Sequence, residues 1–328
     1  MEKNLVTRSN VPFLPIPAAG LHGVGLLNTP GNIWKLIKGT FQSRQILRNF
    51  KPDVMFFTGG YVAVPMAIAG RKIPSLLYVP DIEPGLALKF LSRFANIVAL
   101  TTQTSKQFFP VKTCTEISGY PTRPSLKTIS SSDSRKQFGL QSKLPVLFVF
   151  GGSKGARSIN QAIWKNLSEL LETAEIIHIT GSLDWPQIQS ITTNLNSDQS
   201  SRYHPYPYLH EEMAAAFSCA DLVISRAGAS TLGELPLFGV PAILVPYPHA
   251  WRYQKVNADY LAEHGAAIVI NDDDLAEDVL PKVKSLLQSP EKLSLMSKAA
   301  VSLANPRAAQ NLADLLLSLA AKKQVNPC

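Results

Sequence analysis

Cysteine, long apolar runs and clusters of basic residues are scarce in this 328-residue chain. Its three cysteines, Cys114, Cys219 and Cys328, are odd in number and lack metal-ligand spacing. This pattern indicates a reducing compartment and predicts no metal site. The longest apolar run, residues 54–70, is interrupted by two glycines and a proline, and the amino terminus has no apolar segment of the signal-peptide type. Neither secretion nor a membrane span is therefore predicted.

The charge is unevenly distributed along the chain. Residues 1–128 hold 15 Lys/Arg and 5 Asp/Glu, whereas residues 129–328 hold 17 and 19. A basic half suits nucleic acid, an anionic membrane or an acidic substrate. Nucleic acid fits least well, because the basic residues are dispersed and no recognition helix, zinc finger or RNP pattern is present. We predict no nucleic-acid partner.

Apolar runs of strand length alternate with helix-length segments in both halves. The runs are residues 54–57, 75–78, 97–100 and 115–117 in the first half, and 146–150, 176–179, 222–224, 242–245 and 267–270 in the second. This alternation predicts two α/β domains built on doubly wound parallel sheets. We place the first domain at 1–124, a polar linker at 125–143, the second domain at 144–304, and a closing amphipathic helix with its tail at 305–328.

The strongest site motif lies between residues 220 and 257. A short apolar strand precedes the small-residue turn Arg226–Ser230, and a helix begins at Thr231, where backbone amides attract phosphate. Glu234, one turn further, can accept hydrogen bonds from ribose hydroxyls. The next strand ends at a proline-rich loop with His249 and Gln254, although a loop histidine can equally cap a helix. Two strand ends meeting at one crevice predict a sugar-nucleotide site.

Three further glycine motifs follow strands or stand at the predicted hinge. Phe150-Gly-Gly-Ser-Lys-Gly-Ala156 links a strand to a helix, and its glycines allow close approach of a phosphate while Ser153 offers a hydroxyl. It lacks the order of a Walker loop and is also compatible with a plain strand-to-helix turn. Thr58-Gly-Gly-Tyr-Val-Ala-Val-Pro65 follows the first predicted strand, and Gly119-Tyr-Pro-Thr-Arg123 stands at the hinge.

Together and in this order, the four motifs closely resemble the MurG-type family of GT-B glycosyltransferases. These enzymes add N-acetylglucosamine to the undecaprenyl-linked muramyl-pentapeptide precursor of peptidoglycan. The resemblance implies two Rossmann-like domains facing a cleft, an inverting transfer from UDP-N-acetylglucosamine to the 4-hydroxyl of that acceptor, no cofactor, and a peripheral location on the cytoplasmic face of the bacterial membrane. Helix N-termini and Arg123 can stabilise the departing pyrophosphate without a metal. The one Asp triplet, residues 272–274, is predicted to begin a helix.

The resemblance also implies which residues meet the substrates. For UDP-N-acetylglucosamine they are Arg123, Ser153, Gly155, Arg226, Ala229, Ser230, Thr231, Glu234, His249, Gln254 and Asn257. For the acceptor side they are Gly59, Gly60 and Tyr61. A membrane patch is expected on a helix in residues 30–41. Its face consists of Ile33, Trp34, Ile37 and Phe41, with Lys35 and Lys38 at the flanks. The same stripe is compatible with packing on the domain's own sheet.

The chain departs from the family pattern in two places. The family opens with a strand and a glycine-rich loop ending in histidine, and this chain starts after them, so we expect an incomplete and destabilised first domain. Residues 78–81 stand where the family commonly carries His-Glu-Gln-Asn, which leaves Asp81, Glu83 and the loop histidine His22 as candidate bases. Two alternatives remain open: a related GT-B enzyme with another acceptor, and a non-catalytic protein that binds UDP-sugars.

Overall fold

The computed structural model describes residues 6–7, 10–20, 29–152, 155–249 and 252–321. They form two compact units, each with one parallel β-sheet. The first unit holds the described residues up to Val79, then Pro84–Ile117 and those from Leu312 onward. The second unit holds Pro80–Glu83 and Ser118–Asn311. The predicted class, two doubly wound α/β domains with parallel sheets, is confirmed.

The first unit carries a four-stranded sheet in the order β1-β2-β3-β4. Its elements are α1 Thr29–Phe50, β1 Met55–Phe57, α2 Ala63–Ala69, β2 Ser75–Val79, α3 Leu86–Leu91, β3 Ile97–Leu100, the 3₁₀ segment Gln103–Phe108 and β4 Thr115–Ile117. β2 and β3 are buried along their whole length. Such strands read as continuous apolar runs because both faces of a parallel sheet are covered.

The second unit carries a six-stranded sheet in the order β10-β9-β8-β5-β6-β7. Its elements up to β7 are α4 Ser131–Gln137, β5 Val146–Phe150, α5 Arg157–Lys165, α6 Leu167–Leu171, β6 Glu175–Ile179, the 3₁₀ segment Trp185–Gln187, α7 Ile188–Thr193, α8 Ser197–Arg202 and β7 Tyr203–Tyr206. They continue with α9 Met213–Cys219, β8 Leu222–Ser225, α10 Thr231–Phe238, β9 Ala242–Leu244, α11 Tyr253–Glu263, β10 Ala267–Val269, α12 Leu275–Leu287 and α13 Pro290–Ser302. A last helix, α14 Ala308–Ala321, begins in this unit and is assigned to the first from Leu312 onward.

Strand register brings the ends of the central strands to one edge of the second sheet. Phe150, the last residue of β5, pairs with Ile179 of β6 and with Ser225 of β8, and Ser225 pairs with Leu244 of β9. Loops that follow these four strands therefore meet at the carboxyl edge, where open α/β sheets bind their ligands.

All nine predicted strands are present, with ends that differ from the predicted bounds by at most one residue. The tenth strand, β7, escaped the sequence analysis. It is short, half-buried and contains Pro205. Because β7 lies at the edge of the sheet, a proline costs it little.

The division into units differs from the predicted domain bounds. The predicted linker contains α4, whose first turn is capped because the Oγ of Ser130 accepts a hydrogen bond from the Asp133 amide at 3.1 Å. Residues 118–124 belong to the second unit, together with the short segment Pro80–Glu83. Bounds drawn along the sequence cannot represent a unit assembled from separate stretches of chain.

Candidate active site

Glu234 is the central polar residue at the carboxyl edge of the second sheet. It lies in the first turn of α10, is 8% exposed, and stands 3.8 Å from the guanidinium of Arg123, measured from Oε1 to Nη2. Burial raises the pKa of Glu234, and the nearby Arg123 charge partly opposes that shift. The turn before α10 is closed internally, since the Thr231 hydroxyl donates to the Gly228 carbonyl at 2.6 Å. The buried carboxylate of Glu234 therefore lies at the start of a helix, next to a closed turn.

A cavity of about 220 Å³ opens beside Glu234. Its lining combines apolar and polar side chains: Arg123, Phe150, Gly152, Ile179, Tyr208, Leu209, Met213, Ser230 and Glu234. The apolar wall suits a planar ring, and the polar end suits hydroxyl and phosphate groups. Sequence reasoning missed Tyr208, Leu209 and Met213 because they follow the unpredicted strand β7. The aromatic pair Tyr206 and Tyr208 directly before a helix was the available signal.

The glycine turn between β5 and α5 depends on glycine at two described positions. Gly152 and Gly155 have φ angles of +93° and +79°, which other residues rarely adopt. A Cβ on Gly155 would lie 2.3 Å from the Thr180 carbonyl oxygen, so the turn approaches the end of β6 closely. Ser153, the predicted ligand in this turn, lies outside the described residues, and its role stays a prediction.

The side chain of Arg226 connects three segments at the carboxyl edge of the second sheet. Its guanidinium pairs with Asp272, donates to the Ser158 hydroxyl at 2.7 Å and to the Val245 carbonyl at 3.2 Å, and lies 5.2 Å from the centre of the Tyr247 ring. These contacts join the end of β8, the start of α5 and the loop after β9. The structure thus gives Arg226 internal partners where the sequence predicted a substrate contact. The Asp triplet does lead into α12, which begins at Leu275, but no sequence signal pointed to its pairing with Arg226.

Of the predicted ligand residues near the loop after β9, one is hydrogen-bonded within the loop and another is exposed. Gln254 accepts a hydrogen bond from the Tyr247 amide at 2.9 Å, which holds the loop against the start of α11. His249 is exposed and sets its ring edge-on to Tyr247, with centroids 5.4 Å apart. Ala229 and Ser230 are half-buried in the turn before α10. Of these side chains, His249 is the most accessible to a ligand.

Asn257 holds a second carboxylate in place. Its side chain is fully buried, accepts from the Ile82 amide at 3.0 Å, and donates to Asp81 Oδ1 at 2.8 Å and to the Ala227 carbonyl at 3.2 Å. Burial raises the pKa of Asp81, and the hydrogen bond from Asn257 partly opposes that shift. Asn257, predicted to contact the nucleotide sugar, thus has three internal hydrogen bonds.

The two carboxylates near the end of β2 have different partners. Both oxygens of Glu83 are paired with Arg252, at 2.7 Å to Nη2 and 2.6 Å to Nε. Asp81 instead accepts a hydrogen bond from the neutral side-chain amide of Asn257. Its pKa is raised, which is the change that a general base needs in order to accept a proton near neutral pH. The structure therefore favours Asp81 over Glu83 as proton acceptor. His22, the third candidate, lies outside the described residues.

Comparison with known proteins defines the family. The glycosyltransferase family 28 N-terminal domain matches residues 1–100, and the family 28 C-terminal domain matches residues 146–312. The chain belongs to glycosyltransferase family 28. The sheet edge, the glycine turn and the Glu234 helix all lie within the second matched region.

Curated relatives agree with this family. An enzyme of Roseiflexus sp., named UDP-N-acetylglucosamine--N-acetylmuramyl-(pentapeptide) pyrophosphoryl-undecaprenol N-acetylglucosamine transferase, is 38% identical, and the match covers 99% of this chain and 82% of the relative. A Listeria welshimeri protein of the same name is 34% identical, with 97% and 88% covered. The crystal structure of Acinetobacter baumannii MurG has a TM-score of 0.76 at 29% identity and covers 97% of this chain and 88% of its own.

A more distant structure shares the fold alone. The UDP-GlcNAc 2-epimerase from Neisseria meningitidis, solved bound to UDP-GlcNAc, has a TM-score of 0.64 at 13% identity, with 97% of this chain and 88% of that chain covered. Together with Acinetobacter baumannii MurG, it agrees with the GT-B architecture that the sequence resemblance implied.

On the first unit of this family 28 chain, the predicted acceptor-side turn follows β1. Gly59 and Gly60 have φ angles of +106° and +78°, and a Cβ on Gly59 would lie 2.8 Å from the Leu88 side chain. The positive φ angle of Gly59 is therefore what favours glycine there, and the Leu88 side chain would have to shift to make room for a Cβ. Tyr61, the next residue, is 51% exposed. No contact in the structure tests its predicted role toward the acceptor, which stays a prediction.

The predicted membrane patch forms an exposed apolar face on α1. Ile33, Trp34, Ile37 and Phe41 are 43–67% exposed, and Lys35 and Lys38 are exposed beside them. Another face of α1 packs inside the unit, where Gly39 lies directly against the Pro17 carbonyl. The four side chains therefore do not pack on the described part of the sheet. Among the described residues, no helix has the length and apolar character needed to cross a bilayer.

Proposed function

We propose that this protein transfers N-acetylglucosamine from UDP-N-acetylglucosamine to the 4-hydroxyl of undecaprenyl-pyrophosphoryl-N-acetylmuramyl-pentapeptide, with inversion at the anomeric carbon. The Roseiflexus sp. and Listeria welshimeri relatives, which carry this activity in their names, are 38% and 34% identical over nearly the whole chain. The observation that carries the proposal is the buried Glu234, paired with Arg123 at the rim of a half-apolar cavity and at the start of α10.

The cavity accounts for the donor nucleotide. The uracil ring lies against the apolar wall, and the ribose hydroxyls donate to Glu234. These hydrogen bonds favour the charged carboxylate that burial disfavours in the unliganded protein. The diphosphate then lies at the starts of α10 and α5, where the partial positive charge of a helix N-terminus favours an anion.

The transfer needs one proton acceptor and a stabilised leaving group. Asp81 takes the proton from the acceptor hydroxyl as its oxygen attacks the anomeric carbon and the bond to the diphosphate breaks. The negative charge that develops on UDP is stabilised by Arg123 and by the positive ends of the two helix dipoles. Asn257 positions Asp81 through its hydrogen bond to Oδ1.

The deciding experiment measures transfer of labelled N-acetylglucosamine from UDP-N-acetylglucosamine to the lipid-linked muramyl-pentapeptide in detergent micelles. Formation of the labelled disaccharide-pentapeptide lipid is the expected result. Binding of UDP-N-acetylglucosamine without transfer to this acceptor would contradict the proposal. Transfer to a different acceptor would then identify a related GT-B enzyme, and no transfer at all would identify a nucleotide-sugar-binding protein.

We further propose that the protein works as a peripheral protein on the cytoplasmic face of the bacterial membrane, with the α1 patch inserted into the lipid interface. Apolar side chains flanked by lysines combine insertion with attraction to anionic headgroups. Burying one large apolar side chain contributes about 1.5–3 kcal/mol, so the double variant Trp34→Ser/Phe41→Ser should partition onto anionic vesicles at least about tenfold more weakly. Leu295→Ser, which removes a 67% exposed side chain from α13, is the matched control. Equal partition of both variants in a co-sedimentation assay would contradict this location.

A further inference from the structure

A buried string of hydrogen-bonded polar side chains runs through the second unit. The Trp164 indole Nε1 donates to the Tyr203 hydroxyl at 3.0 Å, and that hydroxyl lies 3.0 Å from His178 Nδ1. His178 Nε2 in turn lies 3.0 Å from Asn160 Oδ1. His178 and Asn160 are both fully buried. The string therefore links β7, β6 and α5 through the interior.

The string ends at the glycine turn. Asn160 Nδ2 donates to the Thr180 carbonyl and to Asp184 Oδ2, both at 2.8 Å. Asp184, 3% exposed, accepts from Arg157 at 3.0 Å from Nε and 2.9 Å from Nη2. Arg157 is the first residue of α5, and Gly155 just before it lies against the same Thr180 carbonyl. One amide thus fixes two groups that contact the turn.

Donor and acceptor capacities determine the direction of every hydrogen bond in the string. The Asn160 amide nitrogen faces two acceptors, the Thr180 carbonyl and the Asp184 carboxylate. Its oxygen, which can only accept, therefore faces His178. His178 must then carry its hydrogen on Nε2, and its Nδ1 must accept from the Tyr203 hydroxyl. The indole nitrogen of Trp164 is only a donor, which agrees with this order. Burial lowers the pKa of His178 to about 3, so the ring is neutral near pH 7.

We propose that Asn160, oriented by the neutral Nε2–H form of His178, is a positioning residue for the diphosphate of the nucleotide sugar. By holding Asp184, Arg157 and the Thr180 carbonyl in one arrangement, it presets the end of the glycine turn at Gly155 and the start of α5, whose first backbone amides receive the phosphates. This role rests on the proposed function of the cavity. Preset donors stabilise charge without the cost of reorganising when the ligand arrives.

Satisfying so many buried polar atoms has no advantage for stability alone, since apolar side chains of similar volume often stabilise a core as well. A fully satisfied polar string does define a single geometry, because each donor admits one acceptor. Its location also fits this role. The end formed by Asn160 and Asp184 meets the turn, whereas Trp164 and Tyr203 lie at the opposite end of the string.

The test compares two substitutions in the same string. Asn160→Ala removes the amide beside the turn, and Tyr203→Phe removes only the hydroxyl at the far end. Asn160→Ala should raise the calorimetric Kd for UDP-N-acetylglucosamine, and the donor KM, by about tenfold or more with a smaller change in kcat. Tyr203→Phe should change both by less than about threefold while also lowering the melting temperature. Equal effects of the two variants, or wild-type binding by Asn160→Ala, would overturn the positioning role.

A second variant distinguishes a direct loss of binding from a loss caused by unfolding. Asp184→Asn keeps the side-chain volume and an acceptor for Asn160 but removes the charge that holds Arg157. It should give the same rise in Kd at a smaller cost in melting temperature. If it binds the nucleotide sugar as the wild type does, Arg157 and Asp184 do not set the turn.

The hydrogen-bond order has its own readout, independent of nucleotide binding. Nitrogen-15 NMR of histidine-labelled protein should show His178 protonated at Nε2 and not at Nδ1, with no titration between pH 5 and 8. A proton on Nδ1, or a charged ring at pH 6, would refute the proposed order. Failure of the wild type to bind UDP-N-acetylglucosamine would instead refute the proposed function and the role that rests on it.

Discussion

The two units use parallel sheets for opposite purposes. In the second unit, polar side chains near the carboxyl edge of the sheet have internal partners, as Arg226 has in Asp272 and Asn257 has in Asp81. In the first unit, α1 exposes large apolar side chains such as Trp34 and Phe41. A small charged ligand is bound best by groups already fixed in place, whereas a lipid surface is bound by side chains that the fold leaves uncovered. Polar groups of the second unit are thus paired inside the protein, whereas the α1 patch, which we propose meets the membrane, leaves apolar side chains exposed.

Charge follows the same division. The basic excess lies in residues 1–128, with 15 Lys/Arg against 5 Asp/Glu. In the second unit, the notable groups are buried carboxylates. Burial raises the pKa of Glu234 and of Asp81, while Asp184 and Glu83 are each paired with an arginine. Asp81 combines a raised pKa with a neutral hydrogen-bond partner and is a candidate for chemistry, whereas Glu83 and Asp184 form structural pairs with Arg252 and Arg157.

The largest expected effect comes from removing the proton acceptor in the second unit. Asp81→Asn should lower kcat about 10²–10⁴-fold, because a positioned general base contributes a factor of that order. The donor KM, measured by varying UDP-N-acetylglucosamine at a saturating concentration of the lipid acceptor, should change little. Glu83→Gln is the control, since it breaks the pair with Arg252 and leaves Asp81 in place. A larger loss of kcat in Glu83→Gln than in Asp81→Asn would contradict the assignment.

The next effect separates binding from stability at Glu234. Glu234→Gln should weaken UDP binding by about 10–100-fold, because hydrogen bonds to a charged group contribute about 1.5–3 kcal/mol. The pKa of Glu234 is raised in the folded state, so its contribution to stability is present below the unfolded pKa and lost as pH rises through the folded value. At pH 7 the variant should therefore unfold at no lower denaturant concentration than the wild type.

Glu211→Gln, an exposed carboxylate in the loop before α9, serves as the matched control for Glu234→Gln. It should leave calorimetric UDP binding unchanged. A Glu234→Gln variant that binds UDP normally, or that unfolds much more easily, would show that the carboxylate serves the fold and not the ligand.

A substitution in the first unit tests how much the packing of α1 against residues 10–20 contributes to stability. A Cβ on Gly39 would lie 2.1 Å from the Pro17 carbonyl oxygen, whereas Gly31 has no heavy atom within 4 Å of that position. Gly39→Ala should lower the free energy of unfolding by about 1–3 kcal/mol, and Gly31→Ala should leave it unchanged or raise it slightly. Chemical denaturation measures both. Equal stability of the two variants would mean that residues 10–20 do not pack against α1.

The smallest effect is the pH dependence from His178. The pKa of His178 is lowered to about 3 in the folded state, below its usual value of 6.5. Its contribution to stability is therefore complete above pH 6.5 and lost progressively as pH falls from 6.5 toward 3, because only the unfolded chain takes up the proton. One proton is worth about 1.4 kcal/mol per pH unit in this window. Melting temperatures between pH 7 and 5.5 should fall less steeply in His178→Gln. A slope equal to that of the wild type would show that His178 is not the titrating group.

Sequence reasoning recovered the fold more fully than the site. Continuous apolar runs identified nine strands because buried parallel strands contain few polar residues. It also predicted Glu234 and Arg123 as residues of one site, and in the structure their side chains lie 3.8 Å apart. It missed β7, where proline and polar residues at a sheet edge hide the strand. It also gave no sign that Arg226 pairs with Asp272, because a residue's type does not reveal its partner, and the predicted substrate contact of Arg226 stays a prediction.

The sequence by itself determined the alternation of strands and helices, the glycine turns and the uneven charge, since these depend on residues close together in the chain. The tertiary structure alone decided which polar groups meet. Asp81 and Asn257 are 176 residues apart in sequence and share a hydrogen bond, and Ser158 and Asp272 are 114 apart and do the same. Only folding sets such distances, and with them the burial that changes the pKa of a carboxylate.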